Sequence, residues 1–473
     1  MIISLSMANA LVRLDFLDNG RGGFFLLHAG YKYSIRNKYN DRTYWRCVNR
    51  QCPATLTTCN NIVVAFGRPH NHEEDYIGLA AESFISGVKK RCREEAAPIP
   101  TIYDEEIGGL RDSECDDSVE DMIRKIPTFQ ACKSSLYRNR STTTPKLPTS
   151  QEDINLEGPW TCTSAGDRFL LCDDTDENGH RIIIFASDAN LNHLCAADTV
   201  FSDGTFYSCT KHFTQLYTLH ASVNGTVFPL VFGLLPNKSE ATYNRFFRLL
   251  KDAIQDLQSV LNPEHWLLDF EVAARNAVQR NFPGTSLKGC FFHFTQCIWR
   301  KVQGCGLAVR FREEDSVRML VRRAAVLPLI PEHRVEDVWL EALEDNGDDD
   351  NDVLRFKDYV TETWVEGHLT HWNHYENDGS RTTNVVEGWH HKFNRMCRRP
   401  HPNIFMFIQL IQKEQAANEA KMIQLAAGGV VRPKKKKYRQ LDSRIRHLKD
   451  RLRQGTIQLM EYADAASRLL HLE

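Results

Sequence analysis

Residues 199–235 read TVFSDGTFYSCTKHFTQLYTLHASVNGTVFPLVFGLL, and this stretch decides the fold. Val200 to Phe206 is a strand-like run around one carboxylate, Asp203. Gln215 to Val223 is a second strand, Asn224-Gly225 a two-residue turn, and Thr226 to Leu235 the return strand. Asn-Gly between apolar runs is the strongest short hairpin signal, because both turn positions take positive φ. An acid inside an apolar strand needs a partner, since burying a bare carboxylate is costly.

The pattern extends in both directions. Upstream, Phe169 to Cys172 and Arg181 to Phe185 flank a turn at Asn178-Gly179 and predict another hairpin. Ser187 is placed to cap a short helix through Leu194. Downstream, Ser239 caps a helix whose apolar face is Tyr243, Phe246, Phe247, Leu250, Ile254 and Leu257. His265 to Asp269 is a fourth strand, and its continuous run Trp266-Leu267-Leu268 suits burial on both faces. Val272 to Phe282 is a helix and Leu287 to Phe292 a fifth strand. An antiparallel meander followed by alternating helices and strands is the ribonuclease H-like order, an α/β fold on a mixed sheet. From about 294 to 380 apolar spacing of three and four predicts an all-helical insertion. The acidic run 344–350 within it reads as a solvated loop.

Thr382 to Trp389 reads as a helix carrying Glu387. Asn384, Glu387, His391 and Asn394 fall on one face, while Val386, Trp389, Phe393 and Met396 fall on another and pack on the sheet. Asp203 and Asp269 on neighbouring strands, with Glu387 from the later helix, form a set that can hold two Mg²⁺ or Mn²⁺ ions. Hard oxygen ligands suit these ions, and two ions about 4 Å apart serve the attacking and leaving oxygens of a phosphodiester. The competing reading is three unrelated acids. Glu271 reads as a helix-start carboxylate favoured by the dipole.

Nearer the amino terminus, Cys47 and Cys52 are five positions apart and His70 and His72 two apart. Two Cys and two His make a closed tetrahedral Zn²⁺ site, with Cys59 as a rival ligand. A His-x-His pair works on an extended segment, where alternate residues point the same way. The hairpin around Asn60-Asn61 brings the two pairs together. Lys32, Arg36, Lys38, Arg42, Arg46 and Arg50 interleave with aromatics such as Trp45, a pattern suited to phosphate contact; a solvated basic face is the alternative.

Bulk properties permit this reading. The 473 residues have room for two or three domains, and 42% hydrophobic with 25% charged is ordinary globular composition. The net charge is −2, so nucleic-acid affinity must come from local patches. No apolar run of about 18 residues predicts a membrane span. The start MIISLSMANALVRLDF lacks a basic opening, which argues against a secretory signal. Fourteen scattered cysteines fit reduced thiols plus one metal cluster. Arg432 to Arg453 carries eleven Lys or Arg against two Asp, and suits a nuclear address, a phosphate-binding arm or a solubilising helix.

The blocks Asp203-Gly204-Thr205-Phe206, Leu268-Asp269-Phe270-Glu271, Cys290-Phe291-Phe292-His293 and Thr382 to His390 together resemble the transposase domain of Mutator-like elements, over roughly residues 185 to 400. The resemblance implies a ribonuclease H-like core with a helical insertion, and Asp203, Asp269 and Glu387 as catalytic metal ligands. It also implies an accessory Cys290/His293 pair, for which a buried Cys and a satisfied His at a strand end are the alternative. Gly30-Tyr31-Lys32-Tyr33, Tyr44-Trp45-Arg46-Cys47 and Arg68 to His72 resemble a FLYWCH-type zinc finger, which implies DNA or protein binding. The expected organisation is a tail (1–22), the finger (23–75), linker and short helices (76–165), the first part of the core (166–293), the insertion (294–380), the Glu387 helix (381–415) and a basic helical tail (416–473). The expected function is a nuclear DNA transposase or a host protein descended from one, with DNA as partner and self-association and protein partners left open. Its rivals are a non-enzymatic DNA-binding regulator on the same fold and a structure-specific nuclease using the same metals.

Overall fold

Six strands open the chain: β1 (Asp15–Asp18), β2 (Phe24–His28), β3 (Tyr31–Tyr39), β4 (Arg42–Cys47), β5 (Thr55–Cys59) and β6 (Ile62–Phe66). They form one antiparallel sheet in sequence order. The computed structural model describes residues 14–19, 22–95, 97–112, 117–348, 350–367, 371–377, 379–431, 433 and 435–472. Residues 1–13 of the stretch read as a tail, Asp349 of the acidic run, and Arg432 and Lys434 of the basic end lie outside the described residues. Asp15–Asp18, also read as tail, pairs with β2 because Leu14 and Leu17 are buried. Asn60 and Asn61 both take positive φ, 48° and 59°, and close the β5–β6 hairpin as expected.

The chain divides into two units, Met1–Leu147 and Pro148–Glu473. In the first, the sheet is followed by α1 (Tyr76–Glu94), α2 (Ile99–Asp112), α3 (Asp117–Lys125) and α4 (Phe129–Arg140). Phe84, Val88, Cys92, Ile102 and Leu136 share a core, so the segment read as linker with short helices carries a packed helical cluster.

The second unit is a mixed α/β structure. Strands β7 (Leu170–Thr175), β8 (Arg181–Phe185), β9 (Thr199–Thr205), β10 (Gln215–Val223), β11 (Thr226–Leu235), β12 (His265–Leu268) and β13 (Ser286–Gly289) form one sheet in the order β13-β12-β9-β10-β11-β8-β7. The pairings from β7 to β9 are antiparallel, and β12 is parallel to both β9 and β13. The β10–β11 turn has Asn224 and Gly225 at φ 49° and 79°. Three helices, α5 (Asp188–Cys195), α6 (Glu240–Asp256) and α7 (Val272–Asn281), share a core with the sheet; it includes Leu219, Phe247, Trp266 and Val278. Ser187 and Ser239 cap α5 and α6 by accepting from Asn190 N and Thr242 N.

The fifth strand ends at Gly289, short of the expected Phe292, because Cys290 is the N-cap of α8 (Phe291–Gly304). The Cys290/His293 pair therefore opens a helix rather than ending a strand. The insertion follows as α9 (Ala308–Glu313), α10 (Asp315–Val326), α11 (Val335–Asp345) and α12 (Asn351–Val360). Next come α13 (Asn384–Cys397), which carries Glu387, and α14 (Ile404–Ala426), both packed on the sheet through Trp389, Phe393, Phe407 and Ile411. The carboxy-terminal helices α15 (Lys436–Arg453) and α16 (Leu459–Ser467) are integral, because Leu441, Ile445, Leu448, Leu452 and Tyr462 join the core of the insertion. None of the described cysteines is in a disulfide, and no described helix is long and apolar enough to cross a membrane.

Residues 371–377 and 379–383 return the chain from the insertion to the sheet, and hydrogen bonds fix their path. His374 N donates to Pro328 O at 2.7 Å, His374 Nε2 lies 2.8 Å from Gly289 O, and Phe291 N donates to Arg381 O at 2.8 Å. Burial first, then the nearby Lys288, Arg381 and Lys449, lowers the His374 pKa from 6.5 to about 4. A histidine held neutral when folded and protonated at 6.5 when unfolded gives stability that is complete above pH 6.5 and lost as pH falls toward 4. Lowering the pH from 7.5 to 5 should cost the second unit about 2 kcal/mol through this residue. Thermal melts of the wild type and His374→Gln over that range should show a shallower pH slope in the variant.

Candidate functional site

The amino-terminal sheet brings both ligand pairs together. Cys47 ends β4 on its buried side, Cys52 lies beyond the next turn, and the extended segment after β6 carries His70 and His72. All four ligand atoms lie within 4.8 Å of one another. Cys47 Sγ is 3.3 Å from His72 Nε2, Cys52 Sγ 3.3 Å from His70 Nδ1, and the two histidine nitrogens 3.4 Å apart. Zinc bonds of about 2.0–2.3 Å in a tetrahedron require ligand edges on the order of 3.3–3.8 Å, so the residues fit zinc. The free nitrogens are oriented too: His70 Nε2 lies 2.7 Å from the Tyr33 hydroxyl and His72 Nδ1 3.0 Å from Glu73 O. Tyr31 stacks on His70 with ring centroids 3.5 Å apart. Cys59, the rival ligand, pairs with Arg42 at the opposite end of β4 from Cys47.

The basic residues of this sheet divide. On β4, Trp45 and Cys47 are buried, which puts Arg42, Tyr44 and Arg46 on the other face. Arg36, Lys38, Arg42, Arg46 and Arg50 are exposed. One expected DNA contact is corrected. Trp45 is 4% exposed, sits in the core with Leu26, Tyr33 and Leu56, and donates to Thr58 Oγ1 at 2.9 Å. Lys32 pairs with Glu82 of α1 and stands 4.5 Å above the Phe25 ring.

In the second unit, parallel pairing sets Trp266 beside Val200 and Leu267 beside Phe201. The pairing ends there; Asp203 lies two residues further along β9, and Asp269 two residues further along the chain, one past the end of β12. Asp269 Oδ1 accepts from Glu271 N at 3.0 Å at the entry to α7, and Asp203 Oδ1 from Gly204 N at 2.8 Å. Glu387 reaches the site from the first turn of α13, where Val386 packs against Phe201 and Leu267.

Each of two acids meets a histidine. Glu387 Oε1 is 3.2 Å from His293 Nε2, and Asp203 Oδ2 is 3.2 Å from His390 Nδ1. His390 Nε2 is 3.2 Å from Thr218 Oγ1, which is 2.9 Å from His220 Nε2. Burial raises the pKa of Asp269, and Asp203 and Glu271 add to the rise. Glu387 is raised by burial and by Asp203, with His293 and His390 opposing. Burial disfavours charge on His293, but Cys290, Glu387 and Asp269 outweigh it and raise its pKa to about 9. Cys290, buried, is lowered overall by His293 and by the Thr383 N–H, which reaches its sulfur at 3.2 Å. The pair thus links the start of α8 to the start of α13.

The three acids do not close into a tight cage. Among the described residues, Cys47, Cys52, His70 and His72 are the only set of ligands all within 4.8 Å. Two of the acids lean on histidines. Glu271 is held outside the trio by Tyr243 Oη and Lys238 Nζ, each at 2.8 Å. His390 was not singled out from the sequence, although it stands one turn after Glu387; His391, placed on the Glu387 face, is exposed while His390 turns inward.

Residues 16–72 match the FLYWCH zinc finger domain and residues 199–297 the MULE transposase domain. The chain carries both domains. The finger match includes all of β1 but Asp15, all four cysteine and histidine ligands and the basic residues; the transposase match contains Asp203, Asp269, Cys290 and His293 and stops before Glu387. No curated protein matches the chain. The two domains mark a transposase-derived, DNA-binding protein with a Cys₂His₂ structural metal site.

Among the described residues, the finger's core is Leu14, Leu26, Tyr33, Trp45 and Leu56 with Tyr31 and Val63 packed against it, too small to hold a sheet without metal. One zinc per chain should be found by elemental analysis. Cys47→Ser or His72→Ala should abolish it and expose residues 16–72 to proteolysis; a zinc-free but protease-resistant finger would refute the site.

Proposed function

We propose that the second unit is a ribonuclease H-like phosphoryl transferase of the Mutator-like class, acting on DNA that the finger and the basic helix α15 hold. The convergence of Asp203 on β9, Asp269 just past the end of the parallel neighbour β12 and Glu387 on α13 carries this reading. Buried carboxylates so placed cost an ordinary fold free energy. The donor set is all carboxylate oxygen, which fits Mg²⁺ or Mn²⁺. Two such ions, when bound there, supply the Lewis-acid chemistry of strand cleavage and of joining the freed 3′ hydroxyl to a target.

The protein's own part is placement. The parallel strands β9 and β12 lead to Asp203 and Asp269, and α13 carries Glu387. His390 orients Asp203, and His293, protonated at neutral pH, offsets the charge of Glu387 and Asp269. Helix α15 adds a cationic surface fixed to the same unit. Its Lys449 is buried and donates to Tyr375 O, Asp442 pairs with Arg381, and Arg453 with Glu376 at 2.9 Å. Arg439, Arg444, Arg446 and Arg451 stay exposed. The same helix suits a nuclear address, in keeping with a nuclear site of action.

Asp203→Asn, Asp269→Asn and Glu387→Gln should each abolish Mg²⁺- or Mn²⁺-dependent cleavage and joining in a gel assay while leaving DNA binding within about twofold. Full activity in any one of them would remove that residue from the site. Arg42→Ala and Arg46→Ala should weaken DNA binding across sequences, each lowering the slope of log affinity against log salt by about 1. Filter binding from 50 to 200 mM salt measures this, and an unchanged slope would place the DNA on another surface.

A further inference from the structure

The loop that leaves β9 and the turn that ends α13 meet at a surface with no role so far. Phe206 and Tyr207 directly follow β9, three and four positions beyond Asp203, and are 48% and 39% exposed. Their neighbours Cys209 and Phe213 are buried, so the loop beneath is packed while two adjacent rings face solvent. The loop is also tied to the helix of Glu387. His401 N donates to Tyr207 O at 2.9 Å, and His401 Nδ1 lies 3.3 Å from Cys209 O.

The α13 turn is unusual in its backbone. Arg398 and His401 take φ of 58° and 51°, a left-handed conformation that non-glycine residues adopt at a cost. Arg395 and Arg399 in this segment, and Lys211 on the loop, are exposed and form no ion pair among the described residues. Lys238 Nζ stands 4.6 Å above the Phe206 ring.

We propose that this rim binds unpaired nucleotides next to the scissile phosphate, with bases stacking on Phe206 and Tyr207 and phosphates meeting Lys211, Arg395 and Arg399. Exposed aromatic rings interleaved with cations are what single-stranded nucleic acid requires, because every base has a face to stack. Duplex DNA offers its phosphates to the cations but keeps its bases stacked on one another, so the rings would have no partner. A protein partner would call for a wider apolar patch than two side chains supply. A strand rises about 3.3 Å per residue, so Phe206 stands within about 10 Å of Asp203 along the chain. The rim therefore reaches only nucleotides adjoining the acids. The identity of the scissile phosphate rests on the proposed function; the preference for unpaired bases does not.

The test compares the full chain on two DNA duplexes of equal length, one blunt and one with a ten-nucleotide single-stranded 3′ overhang carrying 2-aminopurine, without added Mg²⁺ or Mn²⁺. The wild type should bind the overhang substrate about tenfold tighter than the blunt one and change the probe's fluorescence. Phe206→Ala with Tyr207→Ala should erase both effects and leave blunt-duplex affinity unchanged. Phe206→Tyr with Tyr207→Phe should restore them, which separates stacking from a damaged loop. Equal binding of the two substrates by the wild type, or an undiminished preference in the double alanine variant, overturns the proposal. Cleavage plays no part in this readout. An enzyme that cuts DNA but ignores the overhang refutes the rim alone, and an inactive chain that prefers the overhang refutes the proposed chemistry alone.

Discussion

Parallel pairing of β12 with β9 is the constraint on which the rest of the second unit depends. It brings two carboxylates to one strand end. At the strand spacing of about 4.8 Å and an effective dielectric near 20, two such charges repel by about 3 kcal/mol. The opposing term is larger. Val200, Phe201, Trp266, Leu267 and Leu268 are each at most 3% exposed, and burying side chains of this size contributes about 1.5–3 kcal/mol apiece. The apolar pairing wins, and the Asp269 pKa is raised, first by burial and then by Asp203. A protein with no use for the two acids would gain by replacing either one.

The histidines answer part of that charge without cancelling it. His293 and His390 each take one acid, and each is placed by an element other than the one carrying its partner. His293 lies on α8 and reaches Glu387 on α13; His390 lies on α13 and reaches Asp203 on β9. The crossed arrangement ties three elements through the site. The stapling of His374 to Gly289 and Pro328 serves the same end, since it delivers α13 in a fixed position after an insertion of nearly ninety residues.

Most of this sheet was legible because its signals are local. Asn224-Gly225 has one good solution, Ser187 and Ser239 are strong caps, and Trp266-Leu267-Leu268 suits a strand covered on both faces. The ligand pairs of the finger were legible for the same reason, since Cys-x₄-Cys and His-x-His need only a hairpin to meet. What was hidden depends on tertiary choice. Trp45 alternates with arginines along β4, and the sequence could not say which face would be dry; the core formed around Leu26 and Leu56 took the tryptophan. Lys32 was claimed by Glu82, fifty residues away. His390 and His391 both stand about one turn from Glu387, and only the sheet decides which points inward. Leu441, Ile445 and Leu448 form an apolar stripe on α15, but the dense lysines and arginines around them read as a tail.

The integration of α15 changes how cation and acid relate. A mobile basic tail would attract DNA to the molecule without orienting it, and added salt would screen it within about 10 Å. A helix fixed by a buried lysine and an apolar stripe holds its outward arginines at a set place in the unit that carries the acids. Under the proposed function, phosphates seated there would arrive with a direction. A net charge of −2 leaves such attraction to local basic surfaces of this kind.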